Sequence, residues 1–341
     1  MTSRTPSNRW RDASGASLAA QVVGRLLDGE PLDGLHLGRR DGRIDLRGFV
    51  IPTPETMGVG DVAEERNGDE LAGLGIQWLS GVVEFRNVTL SNLDFSNAQL
   101  DHLRFFDVTL ENCVFDHAKC RDWRGWNLSV KQCTFRDAIL RGSALGTCHN
   151  QKNNHYRLVD FSNADLRDII CQAASFIDCE FSNTQLDNVE FGACKFIDCK
   201  FSGQLANVRF SAEPMPGIDT TERGSLENVD FSHSTLRWIE FRGLSFNEVT
   251  LPPEGDEHVI VNYYPCVVRR AITRLDSELD RDTQALYARM LTDADLLDGS
   301  RDIGLWHREE LGKTPEQQEI AHQLLHELER QCATADQSES P

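Results

Sequence analysis

The sequence lacks the features that most often mark a membrane or nucleic-acid-binding protein. Its 341 residues contain no run of about 18 apolar residues, the length that a membrane-spanning helix requires. Basic residues are scarce, with 35 Lys and Arg against 54 Asp and Glu, and the net charge is −19. Such an excess of negative charge disfavours broad electrostatic binding to nucleic acid or to an anionic membrane. We therefore expect neither a membrane nor a nucleic acid as a direct partner.

Motifs for catalysis and cofactor binding are missing as well. The sequence contains no phosphate-binding P-loop, and Gly58-Val59-Gly60 lacks the remaining glycine of a dinucleotide-binding motif. Neither a nucleophile elbow nor the paired C-x2-C spacing of a zinc site occurs. These absences predict a protein that is not an enzyme, with no cofactor and no metal site.

An export signal is also absent. The segment Leu18–Leu27 follows three arginines, but Gln21, Gly24 and Arg25 interrupt it, which makes it a poor apolar core for a signal peptide. Its apolar residues recur at helical spacing and predict a short amphipathic helix. We expect a cytoplasmic location.

Phenylalanine is abundant where tyrosine is scarce, with 17 Phe against 4 Tyr, and its spacing is regular. From Phe85 to Leu145 every fifth position is a central residue, usually a large apolar one. The pattern resumes one position out of phase at Phe161 and continues, with interruptions, to Leu251. A second, usually smaller residue lies two positions before each central residue, and 15 of the 17 Phe are central in the resulting 29 cassettes. This period fits neither a helix nor a flat strand, and it predicts a chain that turns a corner at every cassette.

The cassettes resemble those of the pentapeptide-repeat family, as in Leu93–Asn97 (LDFSN) and Ala164–Asp168 (ADLRD). The resemblance implies that four cassettes form one square coil and that the coils stack. The expected fold is an all-β solenoid, a right-handed quadrilateral parallel β-helix of about seven coils. Side chains 20 residues apart should then stack, so that Phe95 lies on Phe115 and Phe115 on Phe135.

Composition divides the chain into three regions. Residues 1–81 should form an N-terminal cap helix plus a linker, and residues 82–251 the β-helix, with loops near 146–155 and 211–223. Residues 252–341 should form an acidic α-helical region with a disordered tail after Cys332. Acidic residues exceed basic ones by 3, 6 and 10 in these regions, so the C-terminal region is the most acidic for its length.

Most of the ten cysteines fall on inward positions of the cassettes, where they predict small buried side chains in the reduced state. An irregularity is expected at Gly125, which is a central residue with Trp123 at the small position. We predict a bulge there, interpreted as a packing irregularity rather than a recognition feature. The cysteines on inward positions are Cys113, Cys120, Cys133, Cys171, Cys179, Cys194 and Cys199.

Three groups of residues are candidates for contact with a partner. The first lies in the polar loop after Leu145, the second in the tryptophan-rich cassettes, and the third on an apolar stripe of the last predicted helix, which must pack on the rod, on another helix or on a partner. His322 and His326 of that helix are spaced like metal ligands, but the glutamate of an H-E-x-x-H motif is missing, so a solvated or packing face is favoured. The candidates are Cys148, His149, His155, Trp123, Trp126, Ile320, Leu324 and Leu328.

A repeating surface without a reactive cluster favours a non-catalytic protein-binding module. The resemblance implies a more specific function, a DNA mimic that binds and protects DNA gyrase or topoisomerase IV, and it also implies a homodimer. Two alternatives stay open. One is an adaptor whose C-terminal helices recruit a second protein, and the other is an enzyme or immunity-type inhibitor that uses those helices.

Overall fold

The computed structural model describes residues 9–10, 12–52, 82–148, 152–275, 281 and 302–339. Candidate residue His149 lies outside the described residues, as do residues 53–81, which include the predicted linker after Pro52. No helix within the described residues is both long and apolar enough to cross a membrane.

The described residues form a β-helical rod with a helix at its N-terminal end and a small α/β module at its C-terminal end. The helices are α1 (Ala13–Leu27), α2 (Tyr264–Leu275), α3 (Arg308–Leu311) and α4 (Pro315–Glu339). The strands of the N-terminal half are β1 (Arg39–Arg40), β2 (Arg43–Asp45), β3 (Val83–Arg86), β4 (Thr89–Ser91), β5 (Leu93–Asp94), β6 (Leu103–Phe106), β7 (Thr109–Glu111), β8 (Arg124–Trp126), β9 (Ser129–Lys131), β10 (Ala144–Gly146), β11 (His155–Arg157) and β12 (Ile170–Gln172). The strands of the C-terminal half are β13 (Ser175–Ile177), β14 (Glu180–Ser182), β15 (Glu190–Gly192), β16 (Lys195–Ile197), β17 (Lys200–Ala206), β18 (Arg209–Ser211), β19 (Ser225–Glu227), β20 (Val229–Arg237), β21 (Glu240–Arg242), β22 (Val249–Thr250), β23 (His258–Val261) and β24 (Gly304–His307).

The rod has four faces, which the chain visits in turn. Face 1 is an eight-stranded parallel sheet in the order β21-β18-β15-β12-β10-β8-β6-β3, and face 2 is a seven-stranded sheet in the order β19-β16-β13-β11-β9-β7-β4. Face 3 carries the sheet β14-β17-β20-β22, and parallel bridges extend it to β5 at the N-terminal end. Face 4 is joined mainly by single bridges such as Gln99–Lys119 and Lys119–Ile139. The right-handed parallel β-helix that the repeat predicts is therefore confirmed.

Each corner of the rod depends on one outward residue that lies two positions after the central residue. This residue adopts a left-handed backbone conformation, with φ of 55° at Asn87, 54° at Asp107 and 55° at Asn127. Asn and Asp tolerate this region better than most residues with a side chain. Their regular recurrence explains why the chain turns every five residues instead of continuing as a strand.

The interior is a set of stacked side chains, as the 20-residue period predicts. The Phe95 and Phe115 ring centroids lie 5.5 Å apart, those of Phe115 and Phe135 lie 4.7 Å apart, and the stack continues on the same face to Phe231. Removal of each ring from water contributes about 1.5–3 kcal/mol to folding. The stack crosses the phase shift unbroken, because Phe135 lies on Phe161. Phe161 follows Phe135 by 26 residues instead of 20, so six extra residues, here called the first insert, interrupt the repeat between Gly146 and Asn154.

The inward cysteines lie where the repeat places them. The Cys113 amide donates a hydrogen bond to Cys133 Sγ in the next coil, at 3.4 Å. Burial raises the pKa of the Cys120 and Cys171 thiols well above the ordinary value. These residues therefore act as small, unreactive core side chains.

Helix α1 covers the N-terminal end of the rod. Its N-cap Asp12 accepts a hydrogen bond from the Gly15 amide, and its buried face includes Val22 and Val23. Below it, residues 43–51 form two sides of an additional coil, because β2 pairs with β5 and Val50 bridges to Gln99. The helix thus seals apolar side chains that the first full coil would leave exposed.

The C-terminal module has its own core, separate from that of the rod. Strands β23 and β24 pair antiparallel, and α2 packs on α4 around Tyr264, Val268 and Leu325. A disulfide between Cys266 and Cys332 joins α2 to α4. Helix α4 continues to Glu339, so the prediction of disorder after Cys332 is wrong for residues 333–339, where helix-favouring residues such as Ala333 and Ala335 extend it.

The module is attached to the last coil of the rod by buried polar contacts. The Leu236 amide donates to His258 Nε2 at 2.9 Å, and the Trp238 amide donates to Glu310 Oε1 at 2.6 Å. Arg237 forms an ion pair with Glu309 at 2.7 Å. Both His258 and Glu310 are less than one-tenth exposed, so these contacts determine how the module is oriented on the rod.

We predict that removing the disulfide destabilises the module more than the rod. The bond closes a segment of 66 residues, and a chain-entropy argument assigns it roughly 4 kcal/mol. The C266S/C332S variant should therefore lose its C-terminal transition at lower temperature than the wild type in calorimetry, and dithiothreitol should have the same effect on the wild type. The prediction would be contradicted if the C-terminal transition had the same temperature in the variant and in the oxidised wild type.

We predict that docking of the module weakens below about pH 6.5. Burial is the main reason that the pKa values of His258 and His307 lie below the ordinary histidine value. The charge of His307 also lowers the pKa of His258, while nearby Glu257 acts in the opposite direction. Both imidazoles are thus more easily protonated in the unfolded state, so their contribution is complete above the unfolded pKa and is lost as pH falls. Protonated His258 could not accept the Leu236 amide. The melting temperature should fall between pH 7.5 and 5.5, and H258Q/H307Q should reduce that slope, whereas H233Q, which changes an exposed histidine, should not.

Candidate protein-interaction surface

The candidate surface lies on face 1 of the rod. The interior behind it differs from the other coils because a glycine, Gly125, takes the place of a large central residue. Gly125 pairs in regular register with Phe105, so the predicted bulge at Gly125 is wrong. Trp123 fills the missing volume instead, and its ring packs edge-on against Phe105, Phe115 and Phe135. The irregularity lies one coil later, where the register between β10 and β12 shifts across 144–146.

Asn154 hydrogen-bonds to backbone groups of the rod beside the first insert. Its side chain is completely buried, and its Nδ2 donates to the carbonyl oxygens of Gly125 and Leu145, each at 2.9 Å. Its Oδ1 accepts from the Leu128 amide, also at 2.9 Å. The side-chain amide of Asn154 thus supplies hydrogen bonds to backbone groups beside the interruption of the coil. The repeat could have marked Asn154, because extending the phase of Phe161 back by five residues makes Tyr156 a central residue and Asn154 its small inward residue.

An aromatic ladder projects outward from face 1, directly above this interior. We use the name for Arg86, Phe106 and Trp126, which occupy equivalent positions in β3, β6 and β8. The Phe106 and Trp126 rings are stacked, 4.4 Å apart and within 3° of parallel, and the Arg86 guanidinium lies 4.0 Å over Phe106. Most outward residues of the rod are polar, so two stacked rings among them form a distinct apolar patch.

The ladder ends beside the first insert. The next residue in its row is Gly146, which is buried and has no side chain that could stack on the Trp126 indole. Thr147 and the half-buried Cys148 follow Gly146, and Lys152 forms an ion pair with Asp107 at 3.0 Å. The described residues on either side of the insert thus lie near the outward row that contains the two rings.

Charges surround the ladder in paired form. Asp122 contacts Arg104 at 2.8 Å and Arg124 at 2.6 Å. Desolvation would raise the pKa of Asp122, but hydrogen bonds from Arg104 and His102 outweigh it, and the pKa lies below the ordinary value. The carboxylate therefore stays ionised and holds both guanidinium groups beside the rings.

The second insert, residues 212–224, lies over the corner between faces 1 and 2. The Met215 amide donates to Gln172 Oε1 at 2.9 Å, and Glu222 pairs with Lys195. Burial lowers the pKa of the neighbouring His155, while Glu222 acts in the opposite direction. The insert brings the exposed Met215 side chain to the corner of the rod.

The repeat that builds this surface is recognised by comparison. Residues 157–192 match the family model for pentapeptide repeats, in eight copies. This chain contains pentapeptide repeats. No curated protein matches its sequence at a significant level.

Two solved structures of pentapeptide-repeat type are similar to it at low identity. QnrB1, a plasmid-mediated fluoroquinolone resistance protein, is 16% identical over 47% of this chain and 83% of its own, with a TM-score of 0.29. HetL, from the cyanobacterium Nostoc sp. strain PCC 7120 and involved in heterocyst differentiation regulation, is 13% identical over 56% of this chain and 98% of its own, with a TM-score of 0.19.

The structure separates the residues predicted to contact a partner. Trp126 belongs to the aromatic ladder, Cys148 follows Gly146 at the end of its row, and His155 is on the surface of face 2. Trp123 is only 3% exposed, so it belongs to the core and cannot contact a partner. Phe106 was missed because it is out of phase with the core positions, although its spacing of 20 residues from Trp126 would have identified the pair.

The apolar stripe of the last helix is mostly covered within the module. Leu328 is fully buried in the module core, and Leu324 is half-buried against it. Ile320 alone among the three candidates is exposed, at 50%. The predicted contact role of Leu328 is therefore wrong, because α2 and the antiparallel strands β23 and β24 already cover its face of α4.

We predict that N154A destabilises the rod by about 1–3 kcal/mol, since it leaves the buried Leu128 amide without a partner. The Gly125 and Leu145 carbonyls each lose one hydrogen bond but keep another, from Thr147 and Tyr156 respectively. Thermal or urea unfolding would measure the loss. N163A is a matched control on an outward corner, where the side chain is not buried. A loss no larger than that of the control would contradict the role of Asn154.

Proposed function

We propose that the chain is a non-catalytic protein-binding module and that it binds its partner through the aromatic ladder. The carrying observation is the pair of stacked, half-buried rings in an outward row that ends at Gly146 beside the first insert. Tryptophan and arginine are enriched among residues that dominate binding energy at protein interfaces. A rigid rod presents them without the entropy cost of ordering a loop.

The charge pattern favours this mode of binding over close imitation of DNA. The rod region has an excess of only 6 acidic residues, and many of its carboxylates are paired with arginines of neighbouring coils. Arg136 contacts Asp160 at 2.5 Å, and Arg209 lies between Glu190 and Glu240 at 2.7 and 2.8 Å. A DNA surface presents phosphates without such interruptions. We therefore propose an interface with an apolar centre and a mixed-charge rim.

A type II topoisomerase is the first partner to test, because the family resemblance names DNA gyrase and topoisomerase IV. A homodimer through the C-terminal end of the rod would have to compete with the module, which contacts Leu236, Arg237 and Trp238 of the last strands. We accordingly propose that the chain binds its partner as a monomer.

We predict that F106T/W126T weakens partner binding about 30- to 1,000-fold, the range expected when an interface loses 2–4 kcal/mol at a binding hot spot. Threonine suits a strand, so the fold should persist. Purified gyrase and topoisomerase IV would be titrated against immobilised full-length protein, with inhibition of supercoiling as a second readout.

L158N is the matched control for this experiment. Leu158 is an exposed apolar residue on face 2, 47% accessible, in a left-handed conformation that asparagine favours. Binding should be unchanged in this variant. If F106T/W126T binds as tightly as L158N, the ladder is not the interface. If neither topoisomerase binds the wild type, topoisomerases are excluded as partners. The ladder is then tested with extract of the source cells, where a partner that the wild type captures should be lost with the double variant.

A further inference from the structure

Three potential metal ligands from distant parts of the sequence meet on the C-terminal module. His322 and His326 lie four residues apart on α4 and therefore share one side of the helix. Glu254, from the segment that joins the rod to β23, approaches both imidazoles. One ligand atom from each of the three residues lies within 4.8 Å of the others. The sequence alone favours a solvated or packing face at the two histidines because no glutamate stands between them, but the fold supplies one from elsewhere.

The distances suit a small cation with little rearrangement. Glu254 Oε1 lies 2.7 Å from His326 Nε2 and 3.6 Å from His322 Nε2. Ligands at about 2.0–2.1 Å in a tetrahedral zinc site are separated by roughly 3.3 Å. Both contacts are within about 0.6 Å of that separation. His322 and His326 are about a quarter exposed, so an ion can enter from solvent.

A second carboxylate orients one of the imidazoles. His326 Nδ1 lies 2.7 Å from Glu329 Oε2, on the side of the ring opposite Glu254. Glu329 Oε1 accepts hydrogen bonds from the amide and the side chain of Asn262, at 2.7 and 2.8 Å, so its position is fixed. With the proton on Nδ1 directed to Glu329, the Nε2 lone pair points to the place where Glu254 converges. A carboxylate that orients a histidine in this way is typical of zinc sites.

We propose that Glu254, His322 and His326 bind a divalent first-row transition ion, and that zinc is the best fit. Two imidazoles and one carboxylate form a ligand set that zinc accepts, whereas calcium and magnesium prefer sites made of oxygen. Three protein ligands leave a fourth position for water or for a donor from a partner. The site would connect α4 to the segment that leaves the rod, so the ion would act as a clamp between the module and the rod.

Zinc binding to the tag-free full-length chain tests the proposal directly. The protein would be dialysed against Zn²⁺ and then against metal-free buffer, and the bound metal would be measured by elemental mass spectrometry. The Kd for zinc would come from competition against a chromophoric chelator. We expect one tightly bound zinc per wild-type chain. H322A, H326A and E254Q should each weaken binding more than about 100-fold, and E329Q, which removes only the orienting group, about 10- to 100-fold.

Matched controls separate this site from adventitious binding. H117N removes an exposed histidine on the rod at a left-handed position that asparagine tolerates, and E316Q removes an exposed glutamate from the first turn of α4. Both should bind zinc as the wild type does. Circular dichroism would verify that each ligand variant is folded, and E254Q, which changes an exposed side chain, keeps the test valid if a histidine variant unfolds.

A thermal readout tests the clamp. Zinc should raise the melting temperature of the wild type and of both controls but not that of E254Q. Cobalt substitution should give the visible absorption of a four-coordinate site. The proposal is overturned if the wild type retains no more zinc than H322A/H326A, since His326 then only forms polar contacts with Glu254 and Glu329.

Discussion

The whole rod depends on one constraint, that the chain must turn a corner after every fifth residue and still pair its backbone with the coils above and below. A left-handed residue makes the turn, and a large apolar side chain in the centre of each cassette fills the space that the turn encloses. Neither is sufficient alone, because a corner without a filled centre leaves a cavity and a filled centre without a corner continues as a strand. The Phe stack from Phe95 to Phe231 shows both conditions met coil after coil.

This dependence explains which parts of the structure could be predicted. The period of five specifies which residues point inward, so the buried cysteines follow from it, and the resemblance to the pentapeptide-repeat family adds the four-sided coil and with it the Phe stack. How the departures from the period are accommodated could not be predicted, because it depends on contacts between side chains of neighbouring coils. Trp123 and Asn154 repair the coil around Gly125, and only the three-dimensional neighbourhood shows that they do so. The stacking of Phe106 on Trp126 was not predicted, because both rings lie in an outward row and the inward period says nothing about such rows.

The same reasoning applies to the C-terminal module, which has no repeat. Its helices were predictable from apolar spacing, but their partners were not, because α2 and α4 are far apart in the chain. The apolar stripe on α4 therefore looked like a surface for another protein, although Leu325 and Leu328 are buried within the module. For the same reason two histidines looked like a solvated pair until the fold brought Glu254 to them.

The two ends of the rod are closed in different ways, and the difference bears on how the protein works. At the N-terminal end α1 covers the core with apolar side chains, a contact that changes little with pH or redox state. At the C-terminal end the attachment runs through His258 and Glu310, and the module itself is held by a disulfide and offers two histidines and a glutamate to a cation. Each of these links responds to solution conditions, because an imidazole can be protonated, a disulfide reduced and a metal removed. The rod is thus a constant surface that carries the aromatic ladder, and the module is the part of the molecule whose docking is conditional. A partner that touches only the ladder would bind independently of those conditions, whereas one that also touches the module would sense them.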